Sequence, residues 1–196
     1  MNEVEICNIA LSHIGAGQIS SLSENTQVAR ECKRHYPVAR DSVLRAHPWA
    51  FARRQIVLAQ VAGEEVRGWS FVYQYPNDCL EARYIYDFSD RDNESINFDL
   101  AISKDLKTRL ILSDQENAEL VYTAKVANPV LFDSIFIDAM SYRLASSIAI
   151  PIKGKAELAN VMLEFYFGYL GNALSSNANE KKKDPETKSS FSKARA

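Results

Sequence analysis

Apolar residues in this chain keep one spacing up to Ala46, adopt another from Arg53, and return to the first after Asn128. Val28, Cys32, Tyr36, Ala39, Val43 and Ala46 fall three or four apart, which gathers them on one face of a helix. From residue 53 to 126 the apolar residues tend to alternate, the period of a strand. One segment cannot satisfy both periods. The switches therefore predict helical, β and helical blocks in that order, an α+β fold. The first switch lies in the stretch RAHPWAFARRQI, residues 45–56. His47 stands before a proline, where helical geometry is disfavoured, so the helix should end there. Pro48, Trp49 and Phe51 then mark the junction, with the two aromatics expected to plug it.

Within the first block, Val4, Ile6, Cys7, Ile9, Ala10, Leu11 and Ile14 cover well over half of a helical wheel for residues 3–15. So wide a stripe implies burial on two sides, and Gly15 and Gly17 are placed to end the helix. Ser23 or Asn25 is expected to cap the next helix, and Pro37 to kink or split it. In the β block, Trp69, Phe71, Tyr73 and Tyr75 alternate and should share one face, as should Tyr84, Tyr86 and Phe88. With further strands at 95–102, 108–112 and 119–126, the block reads as a meander of about six short strands. Helical spacing resumes after the Asn128-Pro129 cap. After Pro151 and Gly154 a last helix carries two stripes, Leu158, Met162, Phe165, Tyr169 and Ala173 beside Ala159, Leu163, Tyr166 and Leu170. The predicted architecture is a four-helix bundle from the two chain ends, with an inserted antiparallel β lobe and a flexible C-terminal tail. Its parts are 1–48, 49–127, 128–175 and the polar tail 176–196.

Composition excludes several classes. A net charge of −2 over 196 residues is not that of a dedicated nucleic-acid binder. The charge is unevenly spread: residues 180–196 hold six basic and three acidic side chains, which leaves −5 on the rest. Cys7, Cys32 and Cys79 form no CxxC pair and no zinc spacing with His13, His35 or His47, so buried thiols of a reduced, intracellular protein are expected. The opening MNEVEICNIA lacks the basic start of a signal peptide. Asp133, Asp138 and Arg143 interrupt the most apolar stretch, 130–150, which argues against a membrane helix. No phosphate-binding loop, nucleophile elbow or metalloprotease motif occurs. Asp90, Asp92 and Glu94 alternate like a calcium loop, but Ser95 and Ala101 stand where that loop needs Gly and Glu. Neither an enzyme nor a cofactor is indicated. Aromatic strands can stack nucleic-acid bases, which makes a small single-stranded nucleic-acid-binding module the alternative. Between 67 and 88, however, only Arg67 and Arg83 are basic, against Asp78, Glu81 and Asp87.

A further set of residues carries a resemblance. Asn8, Ala10-Leu11, Ile14-Gly15, Ser21-Leu22, Ala29, Tyr36, Arg40-Asp41, Leu44 and Pro48-Trp49-Ala50-Phe51, followed by Pro76, Asp78 and Leu80, resemble tail tubular protein A. That family supplies the head-to-tail adaptor, or gatekeeper, of short-tailed bacteriophages. The likeness covers roughly the first 85 residues, and beyond them the element order agrees. It implies a virion structural protein, assembled in the host cytoplasm, that forms a twelve-fold ring between the portal protein and the tail nozzle protein. DNA would pass through the lumen without specific binding, and no membrane is involved. On this reading Lys181, Lys182, Lys183, Phe191, Lys193 and Arg195 are candidates for ordering on the portal, the other reading being a solubilising tail. Arg53 and Arg54 are candidates for either surface or inter-subunit positions.

Overall fold

The computed structural model describes residues 1–86 and 95–180, with side chains to residue 171. Helix α1 (Glu3–His13) opens with a capping box. The Asn2 side chain accepts from the Glu5 N–H at 2.9 Å, and the Glu5 carboxylate accepts from the Asn2 N–H at 2.8 Å. It closes with paired bonds, Gly15 N–H to the Ser12 carbonyl and Ala16 N–H to that of Leu11. This Schellman arrangement needs the left-handed φ of +63° that Gly15 adopts. Asn8 then clamps the following loop, donating to the Ile19 carbonyl and accepting from its N–H.

Helix α2 (Gln27–Ala46) is capped by Thr26, not by Ser23 or Asn25. The expected split at Pro37 does not occur, because both Pro37 and Lys33, whose carbonyl loses its donor, face solvent. A 3-10 turn (Ala50–Ala52) leads into β1 (Arg53–Val57). The remaining strands are β2 (Phe71–Gln74), β3 (Cys79–Tyr86), β4 (Ser95–Ile96), β5 (Phe98–Ile102), β6 (Arg109–Ser113) and β7 (Glu119–Ala124). Asn128 and Pro129 open only a second 3-10 turn (Pro129–Leu131). Helix α3 (Ser134–Lys153) starts later, on an Asp133 cap. It runs through Pro151 to Gly154, and α4 (Ala156–Glu180) follows. This helix continues five residues beyond the predicted start of a flexible tail.

The expected meander is overturned. The strands form two antiparallel sheets, ordered β1-β7-β3-β4 and β2-β6-β5. Most pairings therefore join strands far apart in sequence, as polar turns show where strands end but not which ones pair. The predicted strand 95–102 breaks at Asn97 and contributes β4 to the first sheet and β5 to the second. Because β1 and β7 are neighbours, the chain leaves and rejoins the helices side by side, which lets a β unit sit between them.

The helices α1, α2 and α4 all pack against α3. Their shared core includes Ile6, Leu11, Val43, Leu44, Phe136, Met140, Leu144 and Ile148. α3 is long and apolar enough to cross a membrane by length and composition, and in this fold three helices cover it. A second core lies between the sheets, where Tyr73, Tyr75 and Ile111 meet Ile85, Leu120 and Tyr122. Trp69 does not share the face of Phe71, Tyr73 and Tyr75. β2 begins only at Phe71, and Trp69 packs on the other side with Val72, Leu110 and Leu112. Tyr84 and Tyr86 keep their rings 6.2 Å apart, while Phe88 and the Asp90–Asp92–Glu94 alternation lie outside the described residues.

Candidate functional site

Two regions present chemistry to the outside: the corner between α2 and the first sheet, and the flanks of α4. At the corner the helix stops at His47, whose φ and ψ are extended. Trp49 is buried, and its indole N–H donates to the Val43 carbonyl at 2.8 Å, fastening the turn to the helix it has left. Its ring meets Phe136 edge-on at 5.1 Å, and Phe51 meets Phe132 at 5.6 Å and Phe136 at 5.1 Å. Junction residues Trp49 and Phe51 thus come together on α3 and its leading segment, where each aromatic edge contact adds about 1 kcal/mol to area burial. Pro48 stands exposed beside them.

Charged side chains tie the helices to the sheet around this corner. Arg45 bonds Glu81 at 2.8 Å across α2 and β3, and Arg54 bonds Asp78 at 2.7 Å. Asp41, held by the buried Arg40 at 2.8 Å, also reaches Lys125 at 3.1 Å. Solvent screening keeps the exposed pairs Arg45–Glu81, Arg54–Asp78 and Lys125–Asp41 weak; their value is to fix register. Tyr122 donates its hydroxyl proton to Asp78 at 3.0 Å. Burial and that bond push its titration up to about 12.

The neighbours Arg53 and Arg54 diverge, as consecutive strand residues must. Arg54 turns to Asp78, and Arg53 donates to the Tyr84 hydroxyl at 2.8 Å. Both are exposed on β1, an edge strand. Arg83 was not among the sequence-predicted site residues. It donates from Nε to Thr123 Oγ1 and from Nη2 to the Arg45 carbonyl, both at 2.9 Å. A register irregularity between Ala82 and Tyr84 places it there. Bulges leave no signature in a short strand pattern, so no sequence signal pointed to it.

On α4, the middle of the apolar arc packs inward through Met162 and Tyr166, both buried. Its two edges do not. Val161 and Phe165 on one edge are 42% and 51% exposed, and Phe167 on the other is 60% exposed. Phe165, expected within a packed stripe, instead stacks sideways on Tyr142 at 5.3 Å. The clue available in the sequence was breadth: two stripes plus Val161 and Phe167 exceed what one neighbour can cover. The six basic and aromatic tail candidates, Lys181, Lys182, Lys183, Phe191, Lys193 and Arg195, lie outside the described residues.

Three thiols are buried and free. Cys7 and Cys32 lie side by side between α1 and α2, and the hydrogen bond to Cys32 and burial push the Cys7 thiol far up. His13 stacks on Tyr142 at 4.1 Å and its Nε2 lies 3.1 Å from Ser141 Oγ. Ser141 already donates to the Asp138 carbonyl. The hydroxyl therefore accepts, and Nε2 carries the proton of a neutral ring. Burial lowers the His13 pKa, with Asp138 opposing weakly. Among the described residues no three His, Cys, Asp or Glu side chains are grouped to hold a metal.

These features define a mixed α+β protein with a helical core, a two-sheet β unit and an apolar helix edge on either side of α4. Compared with protein-family models and with curated proteins, the chain matches none.

Proposed function

We propose that this chain is the protomer of a head-to-tail adaptor ring of a short-tailed bacteriophage, seated between portal and tail nozzle and continuing the DNA channel. The observation that carries this reading is the apolar arc of α4. It spans roughly two thirds of the circumference at 3.6 residues per turn, whereas a helix packed on one neighbour needs a stripe of about 100°. The chain's own helices take the middle of the arc, and Val161 with Phe165 on one edge and Phe167 on the other stay exposed. Two separate apolar edges suit a protomer between two copies of itself, since a closed ring uses heterologous contacts with a different surface on each side. The fold on this reading is a four-helix bundle from the two chain ends with an inserted antiparallel β lobe, and residues 181–196 engage the portal.

Charge supports the same reading. An acidic body ahead of residue 180 gives sliding DNA few phosphate contacts, and such contacts add salt-dependent drag. The alternative, single-strand binding on the aromatic sheet, gains no support from Tyr73 and Tyr75, whose rings are closed between the sheets.

The test is to mix the protein with the portal ring of the same phage and weigh the product by native mass spectrometry. One bound chain per portal subunit is expected. Portal rings that stay intact and bare would sink the adaptor reading.

A further inference from the structure

Four arginines surround the corner between α2 and the first sheet, but only two carboxylates serve them. Glu81 pairs with Arg45, and Asp78 pairs with Arg54. Arg53 and Arg83 have neutral acceptors, and among the described residues neither has a carboxylate within ion-pair distance. Arg83 is half-buried, and burial pulls its titration down from the ordinary arginine value. Glu81, beyond ion-pair distance, offsets part of that cost, and an anion in direct contact would offset more of it.

Both arginines line one cavity of about 320 Å³. Its lining is otherwise mostly apolar or aromatic: Pro48, Trp49, Ala50, Tyr84, Val121 and Tyr122, with Thr123. In a regular strand Arg83 and Tyr84 would point to opposite faces. The bulge after Ala82 lets both face this cavity, and bulges commonly re-aim a side chain beside a site. A small apolar cavity with a few convergent polar groups has the make-up of a ligand pocket.

We propose that this cavity binds a carboxylate carried on an apolar or aromatic group, with the carboxylate bridging Arg53 and Arg83 and the apolar part lying against Trp49 and Val121. A monoanion fits better than a phosphate, because Glu81 and Asp78 stand close by and would repel a second negative charge. Guanidinium and carboxylate match in planar geometry, which favours this pairing further. The source is either a free organic acid or an acidic side chain beside an aromatic one in a protein partner. The site is independent of whether the chain forms rings.

The test is an NMR titration of the full-length protein, following the Arg53 and Arg83 Nε–H and the Trp49 indole N–H signals. One arm uses 4-phenylbutyrate against 4-phenylbutyramide. The other uses an end-capped hexapeptide with a central Phe-Glu pair against its Phe-Gln counterpart. In at least one arm the acid should shift these signals saturably and bind about tenfold or more tightly than its amide. The tighter arm identifies the source. Arg83→Gln should lose that preference, and so should Arg53→Gln, an exposed substitution that spares the fold if Arg83→Gln does not. Acid and amide binding alike, no shift from either acid, or displacement by equimolar inorganic phosphate would each overturn the proposal.

Discussion

His13 shows how the burial of one side chain makes stability depend on pH. Its neutral ring donates to Ser141 and stacks on Tyr142, joining α1 to α3. Because burial lowers its folded-state pKa below the unfolded value near 6.5, the folded protein binds fewer protons at this site than the unfolded chain. The stability it contributes is present above the unfolded pKa and is lost as pH falls through the folded value. Thermal unfolding between pH 7.5 and 5 should therefore show a falling melting temperature, and His13→Gln, which keeps a donor for Ser141, should flatten that slope. An unchanged slope in the variant would assign the pH dependence to other groups. At the same scale, Trp49 and Arg83 divide differently between sequence and structure. Trp49 was readable as a junction residue because a large aromatic after His-Pro has to be buried somewhere close. Arg83 was not, since its role depends on one extra residue in a strand and on Arg45, reached across the α2–β3 contact.

Among the elements, the helices followed from spacing, while their ends depended on caps that compete at close range. Thr26 caps α2 where Ser23 and Asn25 stand close by with the same chemistry. Asp133 begins α3 because the Asn128-Pro129 pair spends its cap on a 3-10 turn. The end of α3 depends on Gly154, which adopts φ of +67° and donates to the Ile150 carbonyl at 2.8 Å. A Cβ added there would meet nothing within 4 Å, so the cost of Gly154→Ala is conformational alone. It should destabilise by about 1 kcal/mol, read as a lower urea midpoint at unchanged m-value. Gly154→Asn should cost less, because asparagine tolerates the left-handed region. The strands were harder. Their alternation was visible, but strands of two to eight residues carry no record of partner or bulge, and the closing pair β1–β7 spans most of the insert.

For the whole molecule, the decisive feature is how much apolar surface the chain leaves uncovered after folding. Phe167 is mostly exposed and contributes little to the monomer, so Phe167→Glu should change unfolding free energy by no more than about 0.5 kcal/mol. If the α4 edges are the contacts between neighbours, the same substitution should abolish multi-copy binding to the portal ring. Full occupancy by the variant would move the copy–copy contact away from this edge.

The sequence by itself determined the order of helical and β blocks, the corner at His47-Pro48, and the excess breadth of the apolar arc on α4. Each of these is a local property, since period, proline geometry and helix amphipathicity are written in neighbouring residues. Only the tertiary structure decided that the strands divide into two facing sheets, that α3 is the helix on which the other three pack, and that Arg53 and Arg83 meet over one apolar cavity. Those outcomes depend on which surfaces find each other across long stretches of chain. Many pairings bury similar area, and the choice among them falls to close packing and charge register, neither of which a single strand or helix contains.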